Sequence, residues 1–203
     1  MNNHIHDNEP NYIHYKDPLA LKSTSDRLIT HIPQDHSQLI VLCIGTDRST
    51  GDSLGPLTGT IFTQMMPSLL KVYGTLHNPI HAVNLEETMN EINMMYRKPF
   101  IIAVDASLGK SSSIGNLITG IGSLKPGAAL NKKLPAVGDA YITGVVNIGG
   151  FMDYAVLQST RLSIVHDMSH KIALVLKKVD FWLNHYVSNQ SKHIVKDNHN
   201  KTS

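Results

Sequence analysis

Leu39–Pro56 reads LIVLCIGTDRSTGDSLGP, and it begins with an unbroken apolar run from Leu39 to Ile44. A short, β-branched-rich run of this kind is how a strand covered on both faces reads, so it is expected to be a central parallel strand. The run stops at Gly45. A polar loop, Thr46-Asp47-Arg48-Ser49-Thr50-Gly51-Asp52, precedes Ser53-Leu54-Gly55-Pro56, which opens a helix over about Leu57–Met66 before Pro67 ends it. In parallel α/β sheets ligand crevices form outside the carboxyl ends of the strands, so this loop is the first place to look for function.

Composition bounds what surrounds that strand. A chain of 203 residues that is 41% hydrophobic and 17% charged can bury one sizeable core. The expected organisation is a lead-in over 1–16, a single domain over 17–187 and a polar tail over 188–203. A formal charge of +2 with scattered lysines carries no basic stripe, so nucleic acid is not an expected partner. The single cysteine, Cys43, lies in the core strand and reads as a small hydrophobe. No run approaches the roughly 18 apolar residues of a spanning helix and no apolar leader opens the chain. A cytoplasmic protein without a membrane partner is expected.

The remaining elements alternate between strand and helix. Asp17-Pro18 signals a helix to Ile29, with Asp17 as cap. Val72–Gly74 and His81–Val83 read as short extended segments, and Asn84 reads as the cap of a helix reaching Tyr96. Ile114–Ile121 and Asp139–Val146 are strand candidates, joined by a long Gly/Pro-bounded connection from Ser123 to Pro135. Helices follow over Phe151–Leu157 and Arg161–Tyr186. Twelve histidines are scattered without a recurrent ligand spacing, and His166-Asp167 lacks the glutamate of H-E-x-x-H, so no metal site and no cofactor are expected. The loop GTDRSTGD matches neither phosphate-binding glycine fingerprint.

Pro99–Gly109, PFIIAVDASLG, repeats the buried-strand signature and places Asp105 at its end. Asp52 arrives through the loop after the first strand. Adjacent strands lie about 4.8 Å apart, so two such strands can bring the carboxyls within reach of one substrate group. Two carboxyls in a desolvated crevice do not both ionise easily; one holds a proton while its partner takes one from water, which suits amide hydrolysis. Each has a plainer reading: Asp105 as a turn former and Asp52 as a helix cap. Asp47 reads as a turn former or the partner of Arg48, and Arg48 also as a substrate-orienting group. Backbone N–H groups near Gly45 and Gly51 are candidates for steadying an oxyanion.

Cys43–Pro56, Val104–Gly109, Lys125-Pro126-Gly127 and Ile142–Met152 together resemble the spore protease YyaC family of spore-forming Firmicutes. That family is similar, more distantly, to the germination protease that degrades small acid-soluble spore proteins, and to hydrogenase maturation endopeptidases. The resemblance implies a three-layer α/β/α sandwich around a mixed, mostly parallel sheet. It also implies a peptidase with Asp52 (in Asp52-Ser53-Leu54-Gly55-Pro56) and Asp105 (in Val104-Asp105-Ala106) as catalytic residues. Gly45, Asp47, Arg48 and Gly51 would contact a protein or peptide substrate. Lys125-Pro126-Gly127…Asn131-Lys132 is similar to a Pro-Gly…Asn-Lys segment of the germination protease, which adds Asn131 and Lys132 to the substrate-binding candidates. Hydrogenase maturation enzymes place acidic residues similarly, where they engage nickel carried by the substrate, but their histidine has no evident counterpart here. The expected activity is a spore endopeptidase acting in the forespore or spore interior. Its rivals are a non-catalytic spore protein binding a peptide in the same crevice and a metal-dependent maturation protease.

Overall fold

The computed structural model describes residues 9–127 and 134–200, the last twelve of these by backbone alone. The elements in chain order are β1 (Asn11–His14), α1 (Ala20–His31), β2 (Leu39–Cys43), α2 (Leu54–Gln64), β3 (Lys71–Tyr73), α3 (Leu85–Met95), β4 (Phe100–Gly109), β5 (Asn116–Ile121), β6 (Ala140–Ile148), α4 (Asp153–Gln158) and α5 (Leu162–Asn200). A single 3-10 turn, Gly51–Ser53, leads into α2. The strands form one sheet in the order β1-β5-β6-β4-β2-β3. Strands β3, β2, β4 and β6 run parallel, while β5 pairs antiparallel with both β6 and β1.

Strand β2 is buried along its whole length and sends alternate residues to two cores. Leu39, Val41 and Cys43 join a large cluster with Leu28 of α1, Phe62 of α2 and the Val165–Leu183 stripe of α5. Ile40, Leu42 and Ile44 join a smaller one with Leu85 and Ile92 of α3. The result is the expected α/β/α sandwich, with unequal outer layers. Burial pushes the Cys43 thiol far above its usual range, as expected of a cysteine that packs and does not react. Helix α2 sits close enough on β2 that a β-carbon at Gly55 would overlap the Ile44 carbonyl, which is why its first turn carries glycine.

Several expectations need correction. Residues 11–14 are an edge strand, not part of a lead-in; a four-residue segment with only Tyr12 and Ile13 apolar is too short to show a period. Helix α5 continues through Asn200 past the expected boundary at 187, in a polar segment that contains neither glycine nor proline to stop it. His81–Val83 is a turn, with the His81 carbonyl accepting from the Asn84 and Leu85 N–H groups, and the pairing falls instead on Ile80, bridged to Ile44 just past the end of β2. Asn84 occupies the cap position of α3 but spends its side chain on the loop before it, accepting from His81 N–H and donating to the Pro79 carbonyl.

The long helix is pinned to the turn after α2 by a buried carboxylate. Asp180, 1% exposed, accepts from the N–H groups of Ser68, Leu69 and Leu70 at 2.8–3.1 Å, with Lys177 Nζ at 3.7 Å. Removing the acceptor leaves three backbone donors without it, that of Leu70 in a buried site. Asp180→Ala is therefore expected to cost about 3 kcal/mol of folding stability by chemical denaturation. A loss within about 0.5 kcal/mol, the usual range for a surface substitution, would contradict this role for Asp180.

Candidate active site

The sheet delivers its two aspartates unequally. Strand β2 ends with Cys43 opposite Val104, whereas β4 runs on to Gly109 along β6. Asp105 is therefore inside its strand, not at its end as the sequence suggested, but it is the first β4 residue beyond the end of β2. It shares a row of the sheet with Thr143 of β6 and is 5% exposed. Its Oδ1 accepts from Ala106 N–H at 2.8 Å and its Oδ2 from Gly127 N–H at 3.4 Å. The plainer reading of Asp105 is half realised, since it does cap a backbone N–H, though that of a strand.

Asp52 lies in the 3-10 turn, at neither cap position of that turn nor of α2. The carboxyls are close enough for their charges to repel. Burial first, and the Asp52 charge second, push the Asp105 carboxyl up to about 8, against the two N–H groups that favour its ionised form. At neutral pH Asp105 is mostly protonated.

Both aspartates line a cavity of about 240 Å³ with Arg48, Ser49, His81 and Tyr154. Arg48 reaches this cavity. Asp47 does not line it, and among the described residues the two form no ion pair. Gly45 lines the cavity but its N–H already donates to the Ile80 carbonyl at 2.8 Å, so it is not a free oxyanion donor. Gly51 is buried against Leu157 and Thr160, where it lets the 3-10 turn close onto α4 and plays a packing part. Asn131 and Lys132 fall outside the described residues. The Lys125-Pro126-Gly127 motif enters the site through the Gly127 N–H on Asp105.

Sequence reasoning missed Ser49, His81 and Tyr154. His81 follows the one-residue bridge at Ile80, too short a pairing to read as a strand end, and its Nδ1 accepts from Val83 N–H at 3.3 Å. Ser49 is 6% exposed and its hydroxyl has no hydrogen-bond partner among the described residues. No three His, Cys, Asp or Glu side chains among the described residues are grouped so as to hold a metal ion. No described helix is long and apolar enough to cross a membrane.

A family model described as "Protein of unknown function (DUF1256)" matches residues 12–175. The chain belongs to that family. The DUF1256 match starts within β1 and ends within α5, so it takes in all of the sheet but Asn11, and both aspartates. The Bacillus subtilis (strain 168) protein named "Uncharacterized protein YyaC" is 46% identical over 170 residues, 83% of each chain. Among solved structures, the NiFe hydrogenase maturation protease HycI from Thermococcus kodakarensis KOD1 is similar with a TM-score of 0.49 and 12% identity, over 72% of this chain and 94% of that one.

The raised Asp105 carboxyl also affects stability. Between about pH 4 and pH 8 the folded chain holds a proton there that the unfolded chain releases, so this group costs increasing stability as pH rises through that window. Asp105→Asn, which cannot ionise, is expected to raise the thermal midpoint above pH 8 and to lose that advantage toward pH 4. Midpoints that track the parent protein at every pH would contradict the assigned protonation.

Proposed function

We propose that this protein is an endopeptidase in which Asp52 acts as general base and Asp105 as general acid on a peptide bond of a spore protein. The observation that carries the reading is the buried Asp105 carboxyl, pushed up to about 8 beside a second carboxylate in a cavity at the strand ends. Titratable groups forced apart in this way mark acid and base assignments.

In the proposed reaction the Asp52 carboxylate takes a proton from water as its oxygen attacks the carbonyl carbon, and the Asp105 proton passes to the carbonyl oxygen. The tetrahedral diol collapses when Asp52 returns its proton to the amide nitrogen. The C–N bond breaks and a diol proton goes back to Asp105, so the pair ends as it began. Arg48, at the cavity mouth, orients the substrate. The resemblance of Cys43–Pro56, Val104–Gly109 and Ile142–Met152 to the spore protease YyaC family supports spore proteins, small acid-soluble ones first, as substrates and the forespore or spore interior as the place of action.

Incubation with extracted small acid-soluble spore proteins, read by mass spectrometry, tests this reading. Defined fragments are expected from the parent protein, with Asp52→Asn and Asp105→Asn each slower by about 100-fold or more. The rate should fall as pH rises through about 8, because Asp105 then loses the proton it must donate. Undiminished cleavage by either variant would overturn the mechanism. Intact substrates with every protein would favour the non-catalytic peptide-binding alternative.

A further inference from the structure

The mismatch between β2 and β4 leaves a second feature beside the aspartates. Along β4 the even-numbered residues point their backbone groups toward β2: Val104 O accepts from Ile44 N–H, and Phe100 N–H donates to Gln38 O. The odd-numbered ones point toward β6, as Ile101 O and Gly109 O accept from Asp139 and Gly149 N–H groups. Beyond Ile44 no strand among the described residues pairs with β4 on the β2 side. Ala106 N–H is taken by the Asp105 carboxyl, but among the described residues the Ala106 carbonyl and the Leu108 N–H and carbonyl have no hydrogen-bond partner. These groups form a short open sheet edge that starts at the catalytic pair.

A separate open trough of about 560 Å³ runs from Asp105–Leu108 over the sheet toward Tyr141 of β6, Ile118 of β5 and Tyr12 of β1, on the side away from β2, and leaves the space beside Asp105 open to a long substrate. Among the described residues the buried hydroxyls of Ser49, in the cavity, and Ser107, in the trough, have no partner, which is costly unless something polar arrives. The other two edges of the sheet are guarded: β1 has four residues, and β3 has three and opens on the exposed Lys71.

We infer that an extended, unstructured segment of the substrate docks as an added strand on the β2 side of Ala106–Leu108, in line with β2, so that main-chain bonds carry its backbone to Asp105. An open row of alternating donors and acceptors is satisfied by another extended backbone and by no compact fold. The inference takes its purpose from the peptidase reading of Asp52 and Asp105 but rests on separate observations. It selects conformation before sequence: folded proteins are excluded, and unfolded segments of many sequences are admitted.

The bonds are common to all peptides, so a randomised pool of short, end-blocked, unstructured peptides serves as the probe. Amide exchange of the full-length Asp52→Asn protein, which suppresses turnover, is followed by NMR with this pool and with a pool methylated at every peptide nitrogen. The Leu108 amide is expected to exchange about tenfold more slowly with the first pool and to be unaffected by the second. No protection, protection confined to β1 or β3, or equal protection by the methylated pool would overturn the added strand. Hydrolysis of spore proteins without protection at Leu108 would leave the peptidase reading standing alone. Protection at Leu108 without hydrolysis by the parent protein would leave only the docking site.

Discussion

Strand β2 stops at Cys43, opposite Val104, while its neighbour β4 continues along β6 to Gly109. That difference in length places a carboxyl, Asp105, at the rim of a largely apolar core built from three layers. Had β2 run on, Asp105 would face a paired strand and the loop from Gly45 to Asp52 would lie elsewhere. The short β2 is in turn enforced by Gly45, with φ of +139°, and by the close seat of Gly55 on the Ile44 carbonyl. Both fold the chain back sharply, so Asp52 returns beside Asp105.

Burial and repulsion then act in the same direction on Asp105. The core withholds water from it, the Asp52 charge disfavours a second charge, and two N–H donors offset this only in part. A strand of ordinary residues would be more stable here. The fold tolerates the cost because its strength lies elsewhere, in the fully buried β2, in the apolar stripe of α5 and in the Asp180 clasp on Ser68–Leu70. Destabilised carboxyls inside well-packed scaffolds are a common mark of sites kept for chemistry.

Much of the fold was legible because its strongest signals are long and apolar: Leu39–Ile44, Phe100–Val104 and the stripe from Ile164 to Val179. Signals failed where pairing is short or the determinant is tertiary. Tyr12-Ile13 and Ile80 are too brief to show a period, and the extension of β4 through Ala106–Gly109 depends on β6 lying beside it. Within the site, Asp52 and Asp105 were readable from their places after apolar runs. Gly45 offers no free donor because its N–H is bonded to Ile80, and Gly51 is packed against Leu157; both partners are far away in sequence. His81 and Ser49 gave no pattern at all, since each is defined only by the cavity it faces.

The central claim is that Asp105 is protonated beside a charged Asp52 at neutral pH. Carbon-13 NMR titration of the Asp105 carboxyl in the parent protein and in Asp52→Asn measures it directly. A midpoint near 8 in the parent is predicted, falling in the variant but staying above the ordinary carboxylate range because burial remains. A midpoint near 4 in the parent, or one that does not move when Asp52 loses its charge, would contradict it.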